Sequence, residues 1–132
     1  MADIPAGYLD LLTEKKAFAH IATLQPDGSP QVTPVWFDYT NGVVRVNTTT
    51  GRVKGRNLSV GSRVALSILD PDNPYRYIQI RGTVSKETTD GAVAHIDSLA
   101  KKYLDKDVYP WHNPKDTRVM YEITPGAAQT MG

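Results

Sequence analysis

Asn41-Gly42 sits between two runs that alternate apolar and polar residues, QVTPVWFDY (31–39) and VVRVNT (43–48). An Asn-Gly loop favours positive φ at both positions, and that turn matches the twist of paired strands, so it commits the flanking runs to an antiparallel hairpin. Pro34 lies inside the first run. It has no N–H to give to a ladder, which places that strand at a sheet edge or at a bulge. Before it, AFAHIATL (17–24) reads as a strand ending at the turn Pro26-Asp27-Gly28. Parallel strands would need helical crossovers, and these connections are too short for them.

The later chain extends the pattern. RVALSILD (63–70), RYIQIRGTVSKE (76–87) and RVMYEIT (118–124) read as strands, with Gly82 as a bend or bulge. Tyr8, Leu11 and Leu12 predict a helix over 5–16, and Ala92, Ile96, Leu99 and Tyr103 predict one over 90–104. A third, short helix is expected around Val53, Asn57 and Val60, after the capping run Thr48-Thr49-Thr50-Gly51. The expectation is a mainly β chain: six antiparallel strands closed into a small barrel with peripheral helices, one domain over 1–132.

Composition removes several functions. There is no cysteine, so disulfides, thiolate metal sites and cysteine nucleophiles are excluded. The three histidines, His20, His95 and His112, have no metal-ligand spacing. His20 is expected in the core or a cleft, His95 on the surface of the late helix, and His112 in the loop YPWHNP. No serine sits in a nucleophile elbow. No apolar run reaches a membrane span and the N-terminus lacks a signal-peptide pattern, so a cytoplasmic protein is expected.

Charge is unevenly spread. Residues 39–69 hold five bases (Arg45, Arg52, Lys54, Arg56, Arg63) and no acid, whereas the whole chain carries a net +1. One short basic stretch suits a compact anion better than a nucleic acid, and it lacks interleaved aromatics. Its densest part is Asn47-Thr48-Thr49-Thr50-Gly51-Arg52-Val53-Lys54-Gly55-Arg56-Asn57. Hydroxyls and a glycine lead into a helix start, where backbone N–H groups are unpaired. Arg52 brings a planar fork and Lys54 a point charge, and both suit phosphate. The other reading is a capped helix with a solvated basic face. Neither a Walker A loop nor a G-x-G-x-x-G motif is present.

The run N-T-T-T-G-R-V-K-G-R-N-L, the strand G-S-R-V-A-L-S-I and Y-R-Y-I-Q-I-R-G-T-V follow one another in that order. With Ala19–Trp36 and Y-P-W-H-N-P (109–114), they resemble the pyridoxamine-phosphate-oxidase-like split β-barrel superfamily. Within it, they resemble the F420-dependent flavin/deazaflavin oxidoreductases. The resemblance implies an FMN-binding-type split barrel, a homodimer with cofactor sites at the interface, and coenzyme F420 as cofactor, with FMN as the alternative. It implies that Arg52 and Lys54, with Arg56 nearby, meet the cofactor phosphate beside Asn47, Thr48, Thr49 and Thr50. Thr33, Pro34, Val35 and Trp36 would lie along the ring, and Tyr77 and Gln79 would line the same cleft, often from the partner. The implied activity is hydride transfer to a small, electron-poor conjugated acceptor. An FMN-dependent reductase or oxidase and a non-catalytic F420 carrier are the rivals. No catalytic residue is identified; a proton could come from solvent, Tyr77, Tyr109 or His112.

Overall fold

In the computed structural model, residues 3–50 and 57–132 are described. A 3-10 turn (Ala6–Tyr8) runs into α1 (Leu9–Thr13). The strands are β1 (Ala19–Leu24), β2 (Pro30–Val35), β3 (Phe37–Thr40), β4 (Val43–Thr49), β5 (Arg63–Asp70), β6 (Asn73–Thr88) and β7 (Arg118–Met131). A second helix, α2 (Ala92–Leu104), precedes β7. The strands form one antiparallel sheet in the order β2-β1-β5-β6-β7-β4-β3.

Seven strands replace the expected six because Trp36 breaks the second run into β2 and β3. These two strands are the opposite edges of the sheet. Laid flat, the edges would stand about 29 Å apart at ordinary strand spacing. A single residue joins them, so Val35 and Phe37 lie at most about 7 Å apart. The sheet therefore curls until its edges nearly meet. This is the split barrel expected from the sequence, and Pro34 lies on an edge strand, where its missing N–H costs no ladder bond. The hairpin at Asn41-Gly42 forms as expected, with φ of 53° and 82°.

α2 closes the seam. The Tyr103 hydroxyl accepts the Phe37 N–H (3.3 Å) and donates to the Ala17 carbonyl (2.5 Å). Lys102 Nζ donates to the Phe37 carbonyl at 2.8 Å and lies 4.4 Å from the Phe37 ring centre. Burial pushes the Lys102 ammonium down to about 8 and raises the Tyr103 phenol above its ordinary value. Inside the curl, Ile21, Phe37, Val44, Leu66, Ile68, Ile78, Ile80 and Ile123 alternate inward, and Leu11 and Leu12 of α1 pack into the same core.

The N-terminal helix is shorter than the predicted 5–16 and is held by a polar clamp. Arg76 bridges Asp10 (2.6 Å) and Asp70 (3.0 Å) and stacks over the Tyr8 ring. Lys15 pairs with Asp70 and Asp72. The Lys15 ammonium, with the Asp72 N–H, holds the Asp70 carboxyl down at about 2. The expected helix around Val53 lies largely in 51–56, outside the described residues; past it, Leu58 is buried and the chain turns at Gly61.

β7 runs on to Met131, beyond the predicted end at Thr124. Pro125-Gly126 reads as a terminator but forms a bulge: Gly82 pairs with Pro125 and Arg81 with Ala127, leaving Gly126 as the extra residue. The close approach needs glycine at 82, where an added Cβ would sit 2.5 Å from the Thr124 carbonyl oxygen and 2.9 Å from Ile123 Cγ2. At Gly126 the nearest atom would be 3.5 Å away. Gly82→Ala is therefore expected to cost roughly 1–3 kcal/mol in denaturant unfolding, with Gly126→Ala near neutral. Equal midpoints for the two variants would contradict this packing.

Candidate functional site

A cavity of about 240 Å³ opens beside the seam. β2 supplies Pro34 and Val35, the junction supplies Trp36, and β4 supplies Asn47 and Thr48. Ile96 and Leu99 of α2, Arg118 at the start of β7, Phe18, and Tyr109 and Trp111 of the 105–117 loop complete it.

Its walls are aromatic. Trp36 lies flat against Tyr103, with centroids 5.1 Å apart and 7° between the planes. Tyr109 meets Trp36 edge-on at 6.0 Å, and Trp111 meets Tyr109 edge-on at 5.5 Å. Such geometry favours flat, polarisable ligands. Trp111 is 62% exposed, which leaves a large apolar ring at the rim facing water.

Two polar residues of the lining bear on what could bind there. The Thr48 hydroxyl is buried in a residue only 2% exposed, and it has no hydrogen-bond partner among the described residues. A buried hydroxyl left unpaired costs about 1–3 kcal/mol, so a ligand atom that pairs with it is favoured. The other is Arg118, half-buried, with its guanidinium 4.7 Å from the centre of the Tyr109 ring.

A buried polar chain lies behind the cavity. Arg118 Nη1 donates to Asn47 Oδ1 (3.3 Å). Asn47 Nδ2 donates to the Ala92 carbonyl (2.8 Å) and faces His95 Nδ1 at 3.1 Å. His95 Nδ1 therefore accepts, and its Nε2–H donates to Asp38 Oδ2 at 3.0 Å. Arg45 grips the same carboxylate at 2.6 and 2.9 Å. Burial raises the Asp38 carboxyl, but the bonds from His95 and Arg45 outweigh it and hold it below its ordinary range.

Of the residues that the resemblance implies for the site, the structure places Pro34, Val35, Trp36, Asn47 and Thr48 around one cavity. Thr33, Thr49 and Thr50 flank them without lining the cavity. Tyr77 and Gln79 lie on β6, on the outer face of the sheet, and do not reach this cavity within one chain. Arg52, Lys54 and Arg56 lie outside the described residues. Two histidine expectations need correction. His95 is buried because it shares the inward face of α2 with Ala92, Ile96 and Leu99. His20 is exposed because it points outward on β1, between inward-facing Ala19 and Ile21. Among the described residues no cluster of three or more His, Asp or Glu could hold a metal ion, and no helix is long and apolar enough to cross a membrane.

Residues 8–132 match the Pyridoxamine 5'-phosphate oxidase family. A solved structure named F420 Reductase is 38% identical, with a TM-score of 0.80, covering 96% of this chain and 98% of its own. A conserved hypothetical protein from Mycobacterium tuberculosis is 18% identical, with a TM-score of 0.73, covering 99% of this chain and 86% of its own. The FAD and heme binding protein from Mycobacterium smegmatis is 18% identical, with a TM-score of 0.70 and coverage of 98% and 71%. These last two share the fold. No curated protein matches the sequence.

The loop that carries Tyr109 and Trp111 is tied to α2 through Asp97, whose Oδ1 accepts the Tyr109 N–H and His112 Nε2, both at 2.8 Å. Burial raises the Asp97 carboxyl, but these two bonds outweigh it and leave it lowered. The tie is therefore complete above the ordinary carboxylate range and is lost as pH falls through the lowered value. Asp97→Ala is expected to speed amide hydrogen exchange across 105–117 at neutral pH while exchange in β5 and β6 stays slow. Unchanged exchange at Tyr109 would mean that the loop is held by other contacts.

Proposed function

The chain belongs to the Pyridoxamine 5'-phosphate oxidase family, and on that footing we propose that it is a reductase that binds F420, with FMN as the alternative, at the seam cavity. Thr48, which lines the aromatic-walled cavity and leaves its buried hydroxyl unpaired among the described residues, carries this reading. The 38%-identical F420 Reductase structure, matched along nearly its whole length, favours a deazaflavin over a flavin.

When bound, the cofactor supplies the hydride that passes to an electron-poor conjugated acceptor. The chain's own residues bind, orient and keep water out. Pro34 and Val35 form a flat backbone edge, Trp36 and Tyr109 give ring walls, and Trp111 screens the mouth. Thr48 would supply a hydroxyl to the bound group. Arg52, Lys54 and Arg56 are assigned the phosphate, on the strength of their charge and spacing alone. Tyr109, rather than Tyr77, is the phenol that a single chain places at the cavity.

At about 240 Å³ the cavity falls below the usual range for a whole cofactor, and the reading gives the rest of the site to Arg52, Lys54 and Arg56 and to a second copy of the chain. The outer sheet face that carries Tyr77 and Gln79 also exposes Leu24, Val32, Leu69 and Met131, an apolar surface suited to such a copy. In solution the protein is then a dimer of two 14.6 kDa chains.

Parallel fluorescence titrations with F420 and FMN test the reading. The expected result is tighter binding of F420, followed by turnover when a quinone or enone is added to the reduced cofactor. Binding without turnover of any such acceptor would make the protein a carrier. Thr48→Val keeps the shape and removes the hydroxyl. It should weaken the cofactor by roughly 2- to 13-fold, the worth of one neutral hydrogen bond, while leaving thermal stability unchanged or higher. Undiminished affinity in the variant would take Thr48 out of the site.

A further inference from the structure

Arg118 is not among the residues that the sequence marks for the site, yet it brings a permanent charge to a cavity whose other lining residues are uncharged. No carboxylate lies within ion-pair distance of it among the described residues. It uses one of its five N–H donors, toward Asn47 Oδ1, and its guanidinium carbon lies 4.7 Å from the centre of the Tyr109 ring. Two other partly buried arginines are held by carboxylates, Arg45 by Asp38 and Arg76 by Asp10 and Asp70. Arg118 instead leaves its remaining donors without a protein partner among the described residues.

We infer that Arg118 is the anion-recognition residue of this cavity, and that His95 positions it through Asn47. The ligand class follows: a planar conjugated ring with a carboxylate, phenolate or enolate oxygen at the edge that faces Arg118. The inference rests on the ring-site reading and adds the charge of the ligand. The aromatic walls take the ring face and the guanidinium takes the anionic edge.

The positioning step is set by hydrogen-bond bookkeeping. Asn47 could turn its amide either way. Both protons of Nδ2 are claimed, one by the Ala92 carbonyl and one by His95 Nδ1, so Oδ1 must face Arg118. His95 accepts at Nδ1 only because its Nε2 proton goes to Asp38, which Arg45 fixes in turn. If His95 no longer accepts, the amide is free to flip and present its N–H groups to the guanidinium, which pushes Arg118 off its place.

The edge could belong to the cofactor ring or to the acceptor, and calorimetric titrations of the full-length protein separate the two. The ligands are F420, FMN and a matched pair of planar probes, anionic 2-naphthoate and neutral 2-naphthamide. Arg118→Met keeps the stem and removes the charge; Arg118→Lys keeps the charge without the fork. Wild type should prefer naphthoate to naphthamide, and Arg118→Met should lose that preference, by roughly 10- to 100-fold for a charged hydrogen bond. If F420 weakens in parallel, the edge is the cofactor's. If F420 holds its affinity and only naphthoate is lost, the edge is the acceptor's. Arg118→Lys should recover part of the loss in either case.

His95→Leu should lower naphthoate affinity several-fold, His95→Gln, with one donor and one acceptor, should restore it, and His95→Leu combined with Arg118→Met should be no worse than Arg118→Met alone. Additive losses would overturn the positioning role. Should His95→Leu fail to fold, the rescue by His95→Gln and the Arg118 pair still decide. Arg118→Met binding both probes and F420 like wild type would overturn the inference and leave the ring site standing. Wild type binding neither F420 nor FMN would remove the ring site itself.

Discussion

Everything in this fold follows from the one-residue link between two edges of the same sheet. β2 and β3 are six strand spacings apart in the hydrogen-bond order and one residue apart in the chain. The link sets how far the sheet must curl, and the curl determines which side chains face inward as core. It also creates a seam, where Phe37 presents an N–H and a C=O with no strand beside them. Tyr103 and Lys102 satisfy both groups, so the docking of α2 is a requirement of the barrel's closure and not an accessory to it. The Lys102 bond is kept although burial pushes that ammonium down to about 8.

The same break in the sheet gives the cavity its place. Where β2 leaves the barrel wall, Trp36 turns toward α2 and stacks on Tyr103, and the 105–117 loop folds back over it through Asp97. Aromatic rings from the β2–β3 junction and the 105–117 loop, with Ile96 and Leu99 of α2, supply the apolar lining. The polar groups that reach it come from β4 and β7, whose neighbouring positions Asn47, Thr48 and Arg118 end the barrel on that side. The chain from Asp38 through His95 to Asn47 ties hairpin, helix and cavity into one unit, so the site's geometry is inherited from the scaffold.

Much of this was legible in the residues. The Asn41-Gly42 hairpin, the edge position of Pro34, β5 over 63–70 and the bend at Gly82 all rest on local chemistry that the tertiary structure does not override. Five of the expected cavity residues are contiguous in two short segments, and the sheet brings those segments together. Other features left no local mark. Val35, Trp36 and Phe37 keep the alternating period through the break, so nothing in the pattern separates β2 from β3. Pro125-Gly126 has the composition of a stop, and only its partner Gly82 makes it a bulge. His95 was readable from its spacing with Ala92, Ile96 and Leu99, but its polarity argued for the surface. The Asp38–Arg45 pair was readable too, since the two are placed symmetrically about the Asn-Gly turn.

The central claim is that the seam cavity holds the ring of a redox cofactor. Backbone and indole ¹⁵N NMR of the protein, recorded during titration with F420, tests it most directly, because both tryptophans of the chain line the cavity. The account predicts the largest shifts at the indole N–H groups of Trp36 and Trp111 and at the amides of Thr48 and Arg118. The Arg76–Asp70 clamp, which closes the N-terminal helix onto the β5–β6 turn, should stay unmoved. Saturable binding that leaves Trp36, Trp111 and Thr48 unshifted would contradict it.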